Sequence, residues 1–120
     1  MKNNALGRLY QNDEIVIKQG TVGDCFYVIQ EGFVEVIDET GDKKVVVAEL
    51  GETDFFGEMG LFEKDVRSCT VRAKGDAKVL TMDKKSLYKS IQKDPSLAFR
   101  LLEKMSNRLR ETTKQLGENK

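Results

Sequence analysis

Between Tyr10 and Met82 the chain never runs far without a turn signal, and this punctuation restricts its possible folds more than any other feature. Gly20-Thr21-Val22-Gly23-Asp24, Glu31-Gly32, Thr40-Gly41-Asp42, Gly51-Glu52 and Gly75-Asp76 are rich in the residues that favour turns, for backbone and side-chain reasons alike. They separate β-rich runs at Cys25 to Gln30, Phe33 to Ile37, Lys44 to Leu50 and Ala77 to Met82. The intervals are too short to hold the crossover helices that parallel strands require. The expected fold is therefore mainly β: an antiparallel jelly-roll-like barrel over about residues 10–82, followed by C-terminal helices over about 84–116.

The helical expectation rests on a change of period. Asp83 can cap a short helix in which Leu87 and Ile91 share one face. Asp94-Pro95 then supplies a cap and a first-turn proline, and Gly117 a stop, so a long helix is predicted from about Pro95 to Leu116. Along it Ala98, Leu102, Met105, Leu109, Thr112 and Leu116 step by alternating fours and threes. That seam suits packing on the helix's own barrel, and its 3.5-residue period also suits a second copy. Pairing is the preferred reading, which makes a homodimer through the C-terminal helix an expected partner state.

The 120 residues fit one compact domain, taken as 1–120. The 20 basic and 20 acidic side chains cancel, so no overall positive field draws the chain to nucleic acid or to an anionic membrane, and neither is an expected partner. No apolar run approaches the length of a membrane span, and the Met1-Lys2-Asn3-Asn4 start carries no apolar signal segment, so a cytoplasmic location is expected. Cys25 and Cys69 are read as reduced thiols. The chain has no histidine and no repeated spacing of acids or cysteines, so no metal site is expected, and a serine or cysteine nucleophile would lack its usual base. No enzyme activity and no catalytic residues are assigned.

The stretch that carries chemistry is Phe55-Phe56-Gly57-Glu58-Met59-Gly60-Leu61-Phe62, with Val66-Arg67-Ser68-Cys69-Thr70-Val71 close behind. Two glycines bracket one acid between bulky apolar residues, so the backbone can turn tightly and present amide donors while aromatics anchor it. Such amides at a short helical turn suit a phosphate. Arg67 opens a strand whose Val71 and Ala73 can point into a barrel, and an arginine so placed needs an anion. A phosphate would take the guanidinium fork together with the Ser68 hydroxyl. An ion pair with Glu58 or Asp65 is the other partner, and on the residues alone the commoner one.

Gly57-Glu58-Met59-Gly60-Leu61 with Arg67-Ser68 following resembles the phosphate-binding cassette of cyclic-nucleotide-binding domains. Ile17-Lys18-Gln19-Gly20 and Phe26-Tyr27-Val28-Ile29-Gln30-Glu31-Gly32 resemble that family's leading barrel strands, so the likeness spans about Tyr10 to Leu116. It is nearest to the sensor domains of bacterial catabolite activators, through Phe62 and Val71-Arg72-Ala73-Lys74 as well. The resemblance implies a regulatory, cyclic-nucleotide-sensing domain without resident cofactor, in which ligand binding is coupled to movement or dimerisation of the C-terminal helix. It assigns Gly57 to offer backbone to the ligand, Glu58 to take the ribose 2′-hydroxyl, and Arg67 with Ser68 to grip the cyclic phosphate. It places Arg108, Thr112 and Thr113 at the purine base, partly across the dimer seam. Threonine hydroxyls both donate and accept, so cyclic AMP is preferred, with cyclic GMP or a ligand-free interaction module of the same fold as alternatives. Val66 departs from a proline common in the family, and Cys69 from a small residue; the first removes no ligand-contacting group, and the second is read as merely buried. The activators continue into a helix-turn-helix domain beyond this helix, and the output partner or domain served here is open.

Overall fold

The computed structural model describes residues 7–58 and 65–118, which divide into a barrel unit up to Lys84 and a helical unit from Lys85. The barrel unit contains β1 (Arg8–Tyr10), β2 (Ile15–Ile17), β3 (Val22–Gly23), β4 (Cys25–Asp38), β5 (Val45–Leu50), β6 (Phe55–Phe56), β7 (Asp65–Val66) and β8 (Thr70–Asp83). The long strands β4 and β8 pair antiparallel from Cys25↔Asp83 to Ile37↔Thr70. On the outer side of β8 lie β1 and β2, and on the outer side of β4 lie β6 and β5. The pair therefore serves two half-sheets, β1–β8–β4–β6 and β2–β8–β4–β5, which is the expected antiparallel jelly-roll arrangement. A separate ladder joins β3 to β7 through Val22↔Val66 and Gly23↔Asp65.

Two turn signals in the sequence prove not to be turns. At Glu31-Gly32 and Gly75-Asp76 the strands run on, and the register between β4 and β8 slips on either side of Glu31 instead. Gly32 has φ +84°, and a Cβ there would fall inside 3.0 Å of the Asp76 carbonyl oxygen. The glycine thus lets the paired strands bend together at a bulge, which curves the sheet without breaking it. Tyr10, Ile17, Ile29, Val34, Phe56, Val71, Ala73, Ala77 and Val79 form the buried cluster inside. Phe26 and Phe55 meet edge to face with ring centroids 6.3 Å apart. Val71 and Ala73 do point inward, as the alternation predicts.

Two helices follow, α1 (Lys84–Lys93), whose first residue belongs to the barrel unit, and α2 (Ser96–Glu118). The predicted cap is formed: the Asp94 carboxylate accepts the Ser96 amide at 3.2 Å and its hydroxyl at 2.6 Å. The Ser96 hydroxyl, with Arg100 behind it, holds the Asp94 carboxyl below its ordinary value. The helix passes through Gly117 rather than stopping there. On its seam Leu102, Leu109 and Leu116 are 64%, 68% and 63% exposed. No helix among the described residues is long and apolar enough to cross a membrane.

Candidate functional site

Arg67 lies between β7 and β8 and is only 8% exposed. Its main chain is held on both sides of the peptide: its amide donates to the Thr21 carbonyl at 2.7 Å, and its carbonyl accepts the Gly20 amide at 2.9 Å. Its side chain is held at the tip, where Nη1 donates to the Gly57 carbonyl at 2.8 Å and Nη2 to the Cys25 carbonyl at 2.7 Å. Three segments therefore converge on this residue at the entry to β8: the turn after β2, the start of β4 and the end of β6. These two bonds use two of the five N–H donors a guanidinium carries. Of the acids weighed as its partner, Asp65 has a side chain outside the described residues, and the hydrogen bonds described for the guanidinium go to neutral oxygens.

The wall of the site is aromatic. Tyr27 stacks on Phe56 with centroids 5.1 Å apart and planes 12° from parallel, because β4 and β6 pair Tyr27 with Phe56. Its hydroxyl accepts the Cys25 thiol at 3.6 Å. Burial first, and then that thiol contact, push the Tyr27 phenol up to about 12, against the opposing pull of the Arg67 charge. Gly57 has φ +77°, and a Cβ there would press on Arg67 Nη1, Ile17 and Tyr27 at 3.1–3.2 Å. Glycine is needed here both for the turn and for the approach of the arginine.

A second layer braces the Lys18 to Thr21 segment that grips the Arg67 backbone. Glu39, just past β4, accepts the Thr70 hydroxyl and the Lys18 ammonium, the latter at 2.9 Å, and its own amide donates to Gln19 Oε1 at 2.7 Å. The Gln19 amide in turn donates to Thr70 Oγ1 at 3.0 Å. The Thr70 hydrogen bond, followed by Lys18, pulls the Glu39 carboxyl down to about 2. Lys44 adds a longer ion pair at 3.4 Å.

Of the residues singled out in the sequence, Gly57, Glu58, Arg67 and Ser68 belong to the barrel unit, where Gly57 and Arg67 are in contact, Glu58 is half-buried and Ser68 exposed. Cys69 is half-buried. Met59, Gly60, Leu61 and Phe62 of the expected cassette, and Glu63-Lys64 of its acidic tip, lie outside the described residues. Arg108, Thr112 and Thr113 lie on α2 in the helical unit, Arg108 half-buried and both threonines exposed. No group of three or more histidine, cysteine or acidic side chains among the described residues is arranged to hold a metal. Gly23, the Cys25 carbonyl, Tyr27 and Glu39 were not foreseen. Gly23 stood in a turn signal, and a carbonyl acceptor has no side-chain signature at all.

Comparison with known proteins places this arrangement. The sequence pattern of the cyclic nucleotide-binding domain matches residues 8–94. The cAMP-activated global transcriptional regulator CRP of Salmonella typhimurium is 36% identical over 111 residues, covering 90% of this chain and 52% of the regulator. The crystal structure of Thermus thermophilus catabolite activator protein superposes with a TM-score of 0.77 at 28% identity, covering 94% of this chain and 55% of that one. The EAL enzyme Bd1971 in its cAMP-bound form gives a TM-score of 0.64 at 27% identity, over 89% of this chain and 29% of the enzyme. Its cGMP-bound form gives 0.64 at 28%, over 91% and 29%. The chain thus spans about half the length of the activator-type relatives and less of the enzyme.

Proposed function

The chain belongs to the cyclic nucleotide-binding domain family, and from that premise we propose that it is a sensor for a cyclic nucleotide, cyclic AMP in preference to cyclic GMP. The observation that carries the reading is Arg67, almost fully buried, its guanidinium held by the carbonyls of Gly57 and Cys25. Neutral carbonyls orient a guanidinium without cancelling its charge, so a buried phosphate anion gains a preset partner. In this reading Arg67 and Ser68 take the cyclic phosphate and Gly57 presents backbone to it. Glu58 accepts the ribose 2′-hydroxyl, a role that suits a carboxylate beside a phosphate because only a hydroxyl donor offsets their repulsion. A ligand with no phosphate offers this arginine no anion.

The preference for cyclic AMP rests on Arg108, Thr112 and Thr113 meeting the base from α2 and on the cAMP-activated relative. A solved relative with cGMP bound keeps the second nucleotide as the alternative ligand. For output, ligand binding favours one position of the C-terminal helix, and the exposed seam of α2 pairs with a second copy; each tenfold difference in affinity between two helix positions supplies about 1.4 kcal/mol of bias. The domain is regulatory, and no catalytic role is assigned to it. Isothermal titration of the chain with cyclic AMP, cyclic GMP and adenosine tests the reading. Binding of both cyclic nucleotides, cyclic AMP the tighter, with adenosine far weaker, is expected. Equal binding of adenosine, or no binding of either cyclic nucleotide, overturns it.

A further inference from the structure

Gly23 is the last residue of β3, and the β3–β7 ladder pairs it with Asp65, two residues before Arg67. It is not among the glycines with positive φ, so its backbone conformation is open to any residue. What it supplies is space. A Cβ at position 23 would fall inside 3.0 Å of Nε, Cζ and Nη2 of Arg67 together, so the guanidinium plane lies directly against the Gly23 Cα. Two residues further along the same segment, the Cys25 carbonyl takes Nη2. One short stretch thus provides both the floor on which the guanidinium rests and one of its two fixed acceptors.

We propose that Gly23 is a positioning residue for Arg67: its missing side chain sets the depth and tilt of the guanidinium, and hence the point at which an anion is met. This rests on the nucleotide-sensing reading above for its ligand, and on geometry alone for its effect on Arg67. A methyl group at this position meets the tip of a flexible side chain rather than main chain, so the guanidinium yields and the barrel does not. A guanidinium displaced by even part of an ångström cannot keep both carbonyl bonds, at 2.7 and 2.8 Å, in line.

The experiment compares Gly23→Ala with the parent in two backgrounds, with Arg67 intact and with Arg67→Leu. In the Arg67 background the affinity for cyclic AMP, read by calorimetry, falls about tenfold or more, the worth of one hydrogen bond to a charged group. In the Arg67→Leu background, read by NMR titration at millimolar ligand, Gly23→Ala changes affinity by less than about twofold, because the atoms the methyl would displace are gone. Without ligand, the Arg67 Nε–H resonance of Gly23→Ala moves and exchanges faster with water, while circular dichroism matches the parent and unfolding stays cooperative, with a midpoint lowered by no more than that of Arg67→Leu. Equal loss of affinity in both backgrounds would show a merely structural effect and overturn the proposal, as would an unmoved Nε–H resonance. Failure of the parent to bind cyclic AMP refutes the nucleotide reading instead, and the resonance then decides the positioning role alone.

Discussion

Replacing Arg67 by leucine separates what this residue does for the fold from what it does for a ligand. The substitution removes the donors of two half-buried carbonyls, those of Gly57 and Cys25. Each unsatisfied acceptor costs about 1–3 kcal/mol. The leucine returns about 1.5–3 kcal/mol by burying its own side chain in the same space. The net loss is therefore about 2 kcal/mol, which a domain of ordinary stability survives. Binding suffers more, because a phosphate then enters a site whose fixed positive partner is gone; about 3–5 kcal/mol, or two to four decades of affinity, should disappear. Urea unfolding measures the first number and calorimetry with cyclic AMP the second. A folded Arg67→Leu protein that binds within tenfold of the parent refutes the assignment of Arg67 to the phosphate. An unchanged urea midpoint refutes the bracing role of the two carbonyls.

Glu58→Gln should discriminate less than the parent against the 2′-deoxy cyclic nucleotide, since a charged acceptor holds a hydroxyl more strongly than an amide does, and competition binding that finds equal discrimination counts against Glu58. Changing Thr112 and Thr113 together to alanine keeps helix propensity and should preserve phosphate binding while narrowing the affinity ratio of cyclic AMP to cyclic GMP, each lost base contact being worth about 0.5–1.5 kcal/mol; sedimentation with and without ligand reports the α2 dimer alongside. Glu39 has its carboxyl drawn from 4.5 to about 2 by Thr70 and Lys18, so its contribution to stability is complete above the higher value and is lost as pH falls towards the lower. Acid titrations of unfolding free energy should show that loss in the parent and a flatter profile in Glu39→Gln, and parallel profiles would remove Glu39 from the brace. Both polar side-chain atoms of Gln30 are buried without a hydrogen-bond partner among the described residues, so Gln30→Leu should raise the urea midpoint by the equivalent of about 1–2 kcal/mol; a lower midpoint would mean that the amide is satisfied by water.

The antiparallel barrel and the capped C-terminal helices were legible in the sequence because they follow from local rules. Turn residues punctuate β-rich runs, and Asp94 before Pro95 and Ser96 can only be an end. The contact of Gly57 with Arg67 agrees with the family resemblance that Gly57-Glu58 and Arg67-Ser68 carry in the sequence. Local rules failed wherever a residue's meaning came from its partner across the sheet. Gly32 and Gly75 looked like ends of strands, and only the β4–β8 pairing turned them into bends, since a glycine that breaks an isolated strand can curve one held by its neighbour. The arginine was expected to meet an anion, and the fold also delivered two carbonyls from positions 10 and 42 residues away, groups that every residue carries and no sequence can advertise. Gly23 likewise read as part of a turn, and the closeness of the Arg67 guanidinium that gives it a purpose exists only once β3 has paired with β7. The sequence thus determined the order of strands and helices and, through its family resemblance, which chemistry to expect of the chain. Tertiary structure decided where the charge sits and what fixes it there, because burial and hydrogen bonding are properties of segments brought together and not of any one of them.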